Sequence, residues 1–388
     1  MRRYLILVAS VLMQITLGGV YAWSAFIPPL RTEQGLTGWQ AGLIFGTTIA
    51  TFTISMFLAG RVLEKMGPRK MGMAGGLVYG AGYLLAGYSS GAWPMLWLGI
   101  GLVSGAGIGL GYVCPLTTCV RWFPNHKGLV TGIAVAGFGG GAILLAEVVE
   151  GLVAAEWAVG TIFRLLGYVF LVIVVSCALI LRFPGPVPEP PPPPRGLALW
   201  KDRAFQRLIT GMFGGTFGGL LVIGHLHPIA LVAGLSSQAA ASAVGAFAIG
   251  NAIGRIVWGM LYDRFGRMIV TISMGFLAFS LIGLIDTLAP WRFIGASLVA
   301  GFGFGACFVV YAAEVAAYFG PSQVARLYPK IFLFYGLAGI TGPLVGGYLY
   351  DVTGTYLWPI ITAVTIATLG AFSTFTGKNR QQGQPRDR

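Results

Sequence analysis

One arginine, Arg255, sits in a stretch, 239–261, that holds no other charged residue. At about 1.5 Å per helical residue it lies about 12 Å from Asp263, the next charge along the chain. That depth is close to the centre of a hydrocarbon layer about 30 Å thick. A guanidinium there is costly and cannot shed its proton, so it needs an anionic partner. No acid lies within one helical turn of it, and a carboxylate substrate, gripped by two parallel N–H donors, would complete it. Asn251 stands one turn away on the same helix face, where it could bond the substrate or steer the guanidinium. Tyr335, Tyr311, Tyr112 and Tyr21 fall inside other apolar stretches, and a buried phenol needs a hydrogen-bond partner that a small hydroxy- or keto-acid could supply. Phe334 and Phe308 lie beside them and could wall off a methyl group.

Three further residues could carry a proton. His225, in Gly224-His-Leu-His-Pro228, titrates near neutrality, and Glu314 and Glu147 stand near the ends of apolar stretches where an acid reaches water. Alternate spacing splays His225 and His227 apart, so no metal site is expected. Cys114, Cys119, Cys177 and Cys307 form no ligand spacing and are expected as packing residues. No nucleophile–base pair, P-loop lysine or His-Glu-x-x-His is found, so neither an enzyme nor a bound cofactor is expected.

The elements that must position these residues are membrane helices. The chain is 56% hydrophobic and 10% charged, with a mean hydropathy of +0.79. Apolar runs near 4–30, 39–60, 71–88, 94–118, 128–149, 160–181, 205–232, 239–261, 268–287, 291–315, 328–350 and 356–376 predict twelve transmembrane helices in an all-α membrane protein. Of the 25 Lys and Arg, 21 fall at the chain ends or in loops on the same side as them. That bias places both termini in the cytoplasm of a multi-pass cell (inner) membrane protein. The +13 charge therefore reflects topology, and no nucleic-acid partner is expected.

Pro184-Gly-Pro-Val-Pro-Glu-Pro-Pro-Pro-Pro-Pro194 cannot continue a helix. It divides an N-terminal half (1–183) from a C-terminal half (204–377), with a linker at 184–203 and a tail at 378–388. Gly60-Arg-Val-Leu-Glu64-Lys65-Met-Gly67 recurs 199 residues later as Gly259-Met-Leu-Tyr-Asp263-Arg264-Phe-Gly266. Such duplication is what alternating-access carriers show, with the substrate site between the halves. The acid and base of each copy, Glu64 with Lys65 and Asp263 with Arg264, could latch one half to a helix end of the other.

These features resemble the major facilitator superfamily. Tyr21-Ala-Trp-Ser-Ala-Phe26 is similar to the oxalate/formate antiporter family, and Arg121-Trp-Phe-Pro-Asn-His-Lys-Gly128 to both that family and the monocarboxylate porters. Asn251-Ala-Ile-Gly-Arg255 resembles the site where monocarboxylate porters bind the substrate carboxylate, and the match looks closest to a bacterial lactate carrier. Asn251 stands where animal porters have Asp, Ala25 where they have Lys, and Tyr335 where the oxalate/formate antiporters have Lys. One intramembrane cation remains, which would neutralise a monocarboxylate and leave a dianion unbalanced. The resemblance implies proton-coupled symport of a lactate- or pyruvate-like anion, with the monomer sufficient. An oxalate/formate-type exchanger is the alternative, and a non-transporting carboxylate sensor a remote one.

Overall fold

The computed structural model describes residues 2–36, 38–185, 197–285 and 289–375, so most of the proline-rich linker and the whole C-terminal tail lie outside the described residues. All regular structure among the described residues is helical. Ten helical stretches are long and apolar enough to cross a membrane, and Met268–Ile282 is a shorter apolar helix. One of the ten, Leu43–Gly87, is two crossings divided at Gly67, where φ is 77° and ψ is 162°. Only glycine takes that conformation without strain, and Pro68, lacking an amide proton, starts the next helix.

Among the described residues this makes twelve crossings. They are α1 (2–34), α2 (38–66), α3 (68–87), α4 (Trp93–Trp122), α5 (Lys127–Ala154), α6 (Val159–Ile180), α7 (Arg203–Val232), α8 (Ser237–Phe265), α9 (Met268–Ile282), α10 (Pro290–Tyr318), α11 (Val324–Thr353) and α12 (Leu357–Phe375). Three of them break regular geometry among the described residues: α1 tightens to a 3-10 turn at Gly19–Ala22, α10 does so at Ala306–Phe308, and α4 widens to a π-helix over Trp97–Ser104. α9 ends at Ile282, short of the extent its apolar run predicts.

Lipid tails are as apolar as leucine, so these helices associate through close backbone packing at small residues. A Cβ on Gly250, Gly254 or Gly301 would collide with the backbone oxygen of Leu298, Phe302 or Phe247, which is how α8 and α10 lie so near each other. Gly18 and Gly141 bring α1 onto α5 in the same way. Large apolar side chains such as Leu12, Val172, Phe279 and Phe372 stay exposed on the outer surface, as a bilayer requires.

Helices α1–α6 pack mainly on one another, as do α7–α12. Between the two sets, α5 runs along α8 and α2 along α11. One end of the bundle, here called the basic face, gathers Arg2, Arg69, Arg121, Lys127, Arg182 and Arg267 at helix ends. At this face the two sets touch directly. A Cβ on Gly128 would strike the Gly259 backbone, and one on Gly60 would strike that of Ala325.

Candidate functional site

Arg255 is 3% exposed. Its Nε donates to Asn251 Oδ1 at 3.1 Å and its Nη1 to the Val135 carbonyl of α5 at 2.5 Å. Its guanidinium carbon lies 4.4 Å from the Phe308 ring centre. Two glycines of α5 make room for it: a Cβ on Gly132 would collide with the Arg255 carbonyl, and one on Gly139 would sit 3.2 Å from Nη1. Among the described residues, Nη2 donates to no protein group and no carboxylate pairs with the cation. Neutral acceptors satisfy only part of a buried guanidinium, so it retains donors and a full charge for an anion.

Aromatic rings from both sets of helices close around this cation. Tyr21 of α1 meets Phe138 of α5 at 5.6 Å, Phe138 meets Tyr112 of α4 at 5.0 Å, and Tyr112 meets Phe52 of α2 at 5.3 Å. Phe52 then meets Phe332 of α11 at 5.7 Å, Phe332 meets Tyr335 at 4.6 Å, and Tyr335 meets Phe308 of α10 at 5.5 Å. The circuit closes with a hydrogen bond of 2.7 Å between the Tyr21 and Tyr335 hydroxyls. Such a site can hold a small anion with an apolar body: charge on one side, π faces and two phenols on the others.

The structure thus brings Arg255, Asn251, Tyr335, Tyr112, Tyr21 and Phe308 together. It separates the other two expected lining residues. Tyr311 is buried inside the second set, its hydroxyl against Gly211 and, among the described residues, without a hydrogen-bond partner. Phe334 points away from Tyr335 toward Trp200, 6.4 Å between ring centres, because adjacent helical residues diverge by about 100°. Phe52, Phe138 and Phe332 complete the cage although sequence reasoning did not select them; the spacing of Phe332 and Tyr335 along one helix face was the available signal.

The three proton candidates lie apart. His225 Nε2 is 2.9 Å from the Pro343 carbonyl, its ring beside Tyr356. Glu147 is exposed and, nine residues from Phe138, projects from the opposite side of α5. Glu314 is buried, accepts from the Tyr262 hydroxyl at 2.6 Å, and has Arg267 Nε at 3.5 Å. Tyr262 lies two turns from Arg255 on the same face of α8, about 10 Å nearer the basic face. A cavity of about 330 Å³ there is lined by Lys127, Asp263, Arg267 and Glu314 among others.

The repeated loop acids take part in two different contacts between the sets, Asp263 directly and Glu64 through an arginine of its own set. Asp263 accepts from the backbone amides of Gly128 and Leu129 at 2.7 and 2.8 Å, at the start of α5. Glu64 pairs with Arg121 Nη2 at 2.7 Å, and Arg121 donates in turn to the Ser322 carbonyl at 3.2 Å, just before α11. The neighbouring bases stay out of both contacts, contrary to the expectation of an acid–base latch. Lys65 is exposed, and Arg264 lies over the Phe265 ring. Each base is one residue from its acid and so projects about 100° away from the interface. Arg121, which the sequence offered only as the first residue of the motif 121–128, supplies the cation instead.

Residues 6–243 and 208–388 match the family model described as Major Facilitator Superfamily. The chain is 29% identical over 352 residues to the uncharacterized MFS-type transporter YhjX of Escherichia coli, covering 87% of this chain and 86% of that one. It is 26% identical over 390 residues to the oxalate:formate antiporter of Oxalobacter formigenes, covering 96% and 91%. It is also 29% identical over 357 residues to monocarboxylate transporter 11 of Mus musculus, covering 87% and 77%. Among solved structures it is similar to the transporter FucP in the outward conformation, with a TM-score of 0.74, 15% identity, and coverage of 96% of this chain and 99% of that one.

Proposed function

The chain belongs to the Major Facilitator Superfamily, and from that premise we propose that it carries a small monocarboxylate of the lactate or pyruvate type across the cell membrane together with a proton. The observation that carries this reading is the buried Arg255 guanidinium, with no carboxylate partner among the described residues and enclosed by rings from both sets of helices. Nη2 binds one carboxylate oxygen, the Phe308 and Phe332 faces enclose the short apolar body, and the Tyr21 and Tyr335 hydroxyls meet a second polar group. The bodies that rock are 1–183 and 204–377, with both termini and the basic face cytoplasmic. The Asp263 contact, and the Arg121–Ser322 contact that Glu64 supports, hold the cytoplasmic side shut until bound substrate neutralises Arg255. Asn251 cannot titrate, so the proton travels with the anion or through Glu314, the proton candidate that is itself buried.

The test is uptake of radiolabelled lactate into proteoliposomes, with and without an inward proton gradient. Uptake should rise with the gradient and vanish in Arg255→Ala. An uptake rate indifferent to the gradient removes symport. A second reading, anion exchange, draws on the relative named an oxalate:formate antiporter. It predicts uptake only into vesicles preloaded with anion, and rapid oxalate or formate counterflow. The phenol of Tyr335 leaves the site with a single cation, which favours the monoanion.

A further inference from the structure

On the outer flank of the first six helices, far from Arg255, a cavity of about 480 Å³ opens at the basic face, lined by Arg2, Leu5, Arg69, Leu179, Ile180, Leu181 and Arg182. Its three arginines come from three separate elements: the start of α1, the start of α3, and the residues just past α6. Among the described residues none of these guanidiniums has a hydrogen bond or an ion pair, and no acid lines the cavity. Three unpaired cations held around one concavity repel one another unless an anion joins them. The cavity is also amphipathic. Leu5 is exposed, and Val8 and Leu12 continue its stripe along α1. Leu179 is exposed on the neighbouring α6, with Val172 two turns further into the membrane. An anionic head with acyl chains fits this pattern, since the charges lie at the helix ends where head groups lie and the apolar stripes run from there into the bilayer.

We propose that this cavity is a binding site for one anionic phospholipid, its phosphate held by Arg2, Arg69 and Arg182 and its chains lying along the exposed faces of α1 and α6. A soluble phosphate compound would satisfy the arginines equally but would make no use of the leucine stripes. The site is independent of the transported substrate, because it touches neither the aromatic cage nor the contacts between the halves.

The test is native mass spectrometry of the delipidated full chain with phosphatidylglycerol or phosphatidylcholine added in equal amounts. Wild type should keep one phosphatidylglycerol under activation that strips phosphatidylcholine. In an R2Q/R69Q/R182Q variant, retention should weaken by about 100-fold, as expected for three cations near an anionic lipid. A variant with equal charge loss elsewhere, R61Q/K201Q/R203Q, should retain the lipid as wild type does, and the lipid-free melting temperatures of all three proteins report folding. Equal retention of the two lipids by wild type, or undiminished retention in the R2Q/R69Q/R182Q variant, would overturn the proposal. Displacement of the lipid by millimolar inorganic phosphate would overturn the assignment to a lipid and leave a soluble phosphate as ligand.

Discussion

Replacing Asp263 by Asn should tip the protein toward the state that opens at the basic face. The carboxylate accepts two backbone amides at 2.7 and 2.8 Å across the interface, at the positive end of α5. Asn keeps one neutral acceptor and loses the charge. Bonds to an ionised group contribute about 1.5–3 kcal/mol each; Asp263 is only half-buried, so solvent screening argues for the low end and a total loss of about 2 kcal/mol. That corresponds to about a 30-fold shift between the two states. Thr131 provides the reporter: it is fully buried and lies two turns from Phe138 on the same face of α5, toward the basic face. The four native cysteines are all buried, so Thr131→Cys should be the thiol whose reactivity follows the opening. Labelling of that cysteine by a small polar maleimide should accelerate about 30-fold when Asp263→Asn is added. Labelling at the parent rate, in a double variant that melts at the parent temperature, would refute the idea that Asp263 holds the halves together.

Other perturbations probe the site and the seal. Arg255→Lys keeps the charge but cannot reproduce the donor fork to Asn251, Val135 and a carboxylate; lactate kcat/KM should fall about 100-fold or more, and near-wild-type uptake would remove the arginine from binding. Tyr21→Phe and Tyr335→Phe each break the 2.7 Å hydroxyl contact, so a double-mutant cycle on KM should show a coupling of about 1 kcal/mol, whereas strict additivity would mean that the contact does not shape the bound state. Gly259→Ala places a Cβ against the Gly128 backbone; overpacking of this kind costs about 1–3 kcal/mol, which should raise Thr131→Cys labelling as the Asp263 variant does. Unchanged labelling and unchanged melting would show that the seal lies elsewhere.

Residues that announce themselves in sequence are those whose cost is local. A guanidinium in an apolar helix is expensive whatever surrounds it, so Arg255 stood out from its own neighbours alone. The crossings were legible for the same reason, since each apolar run must satisfy its own backbone. The phase of a side chain around a helix that changes geometry was not legible. Phe308 and Tyr311 are three residues apart and would share a face on a regular α-helix. The 3-10 turn at Ala306–Phe308, with φ of −116° at Val309, breaks that register. It leaves Phe308 under Arg255 and turns Tyr311 into the core of its own half. Phe52, Phe138 and Phe332 were hidden for another reason: each becomes part of the site only through rings from elements far along the chain.

The duplicated loop shows how far a repeat predicts geometry. The two acids are related by the 199-residue offset, yet only Asp263 reaches the opposite half directly, while Glu64 pairs with Arg121 of its own half. Glu64 is paired with Arg121 before anything reaches α11, and it is the arginine that donates to the Ser322 carbonyl. Arg121 is also stacked over Phe183, 3.8 Å from its ring centre, so its position is set within its own half. Asp263 meets the α5 amides with no cation between. Removing the charge at position 64 therefore leaves a positioned arginine still able to donate across the interface, while removing it at 263 leaves helix amides facing a neutral group. Glu64→Gln should accelerate Thr131→Cys labelling less than Asp263→Asn does. The reverse order would mean that the arginine, and not the carboxylate at α5, carries the closure.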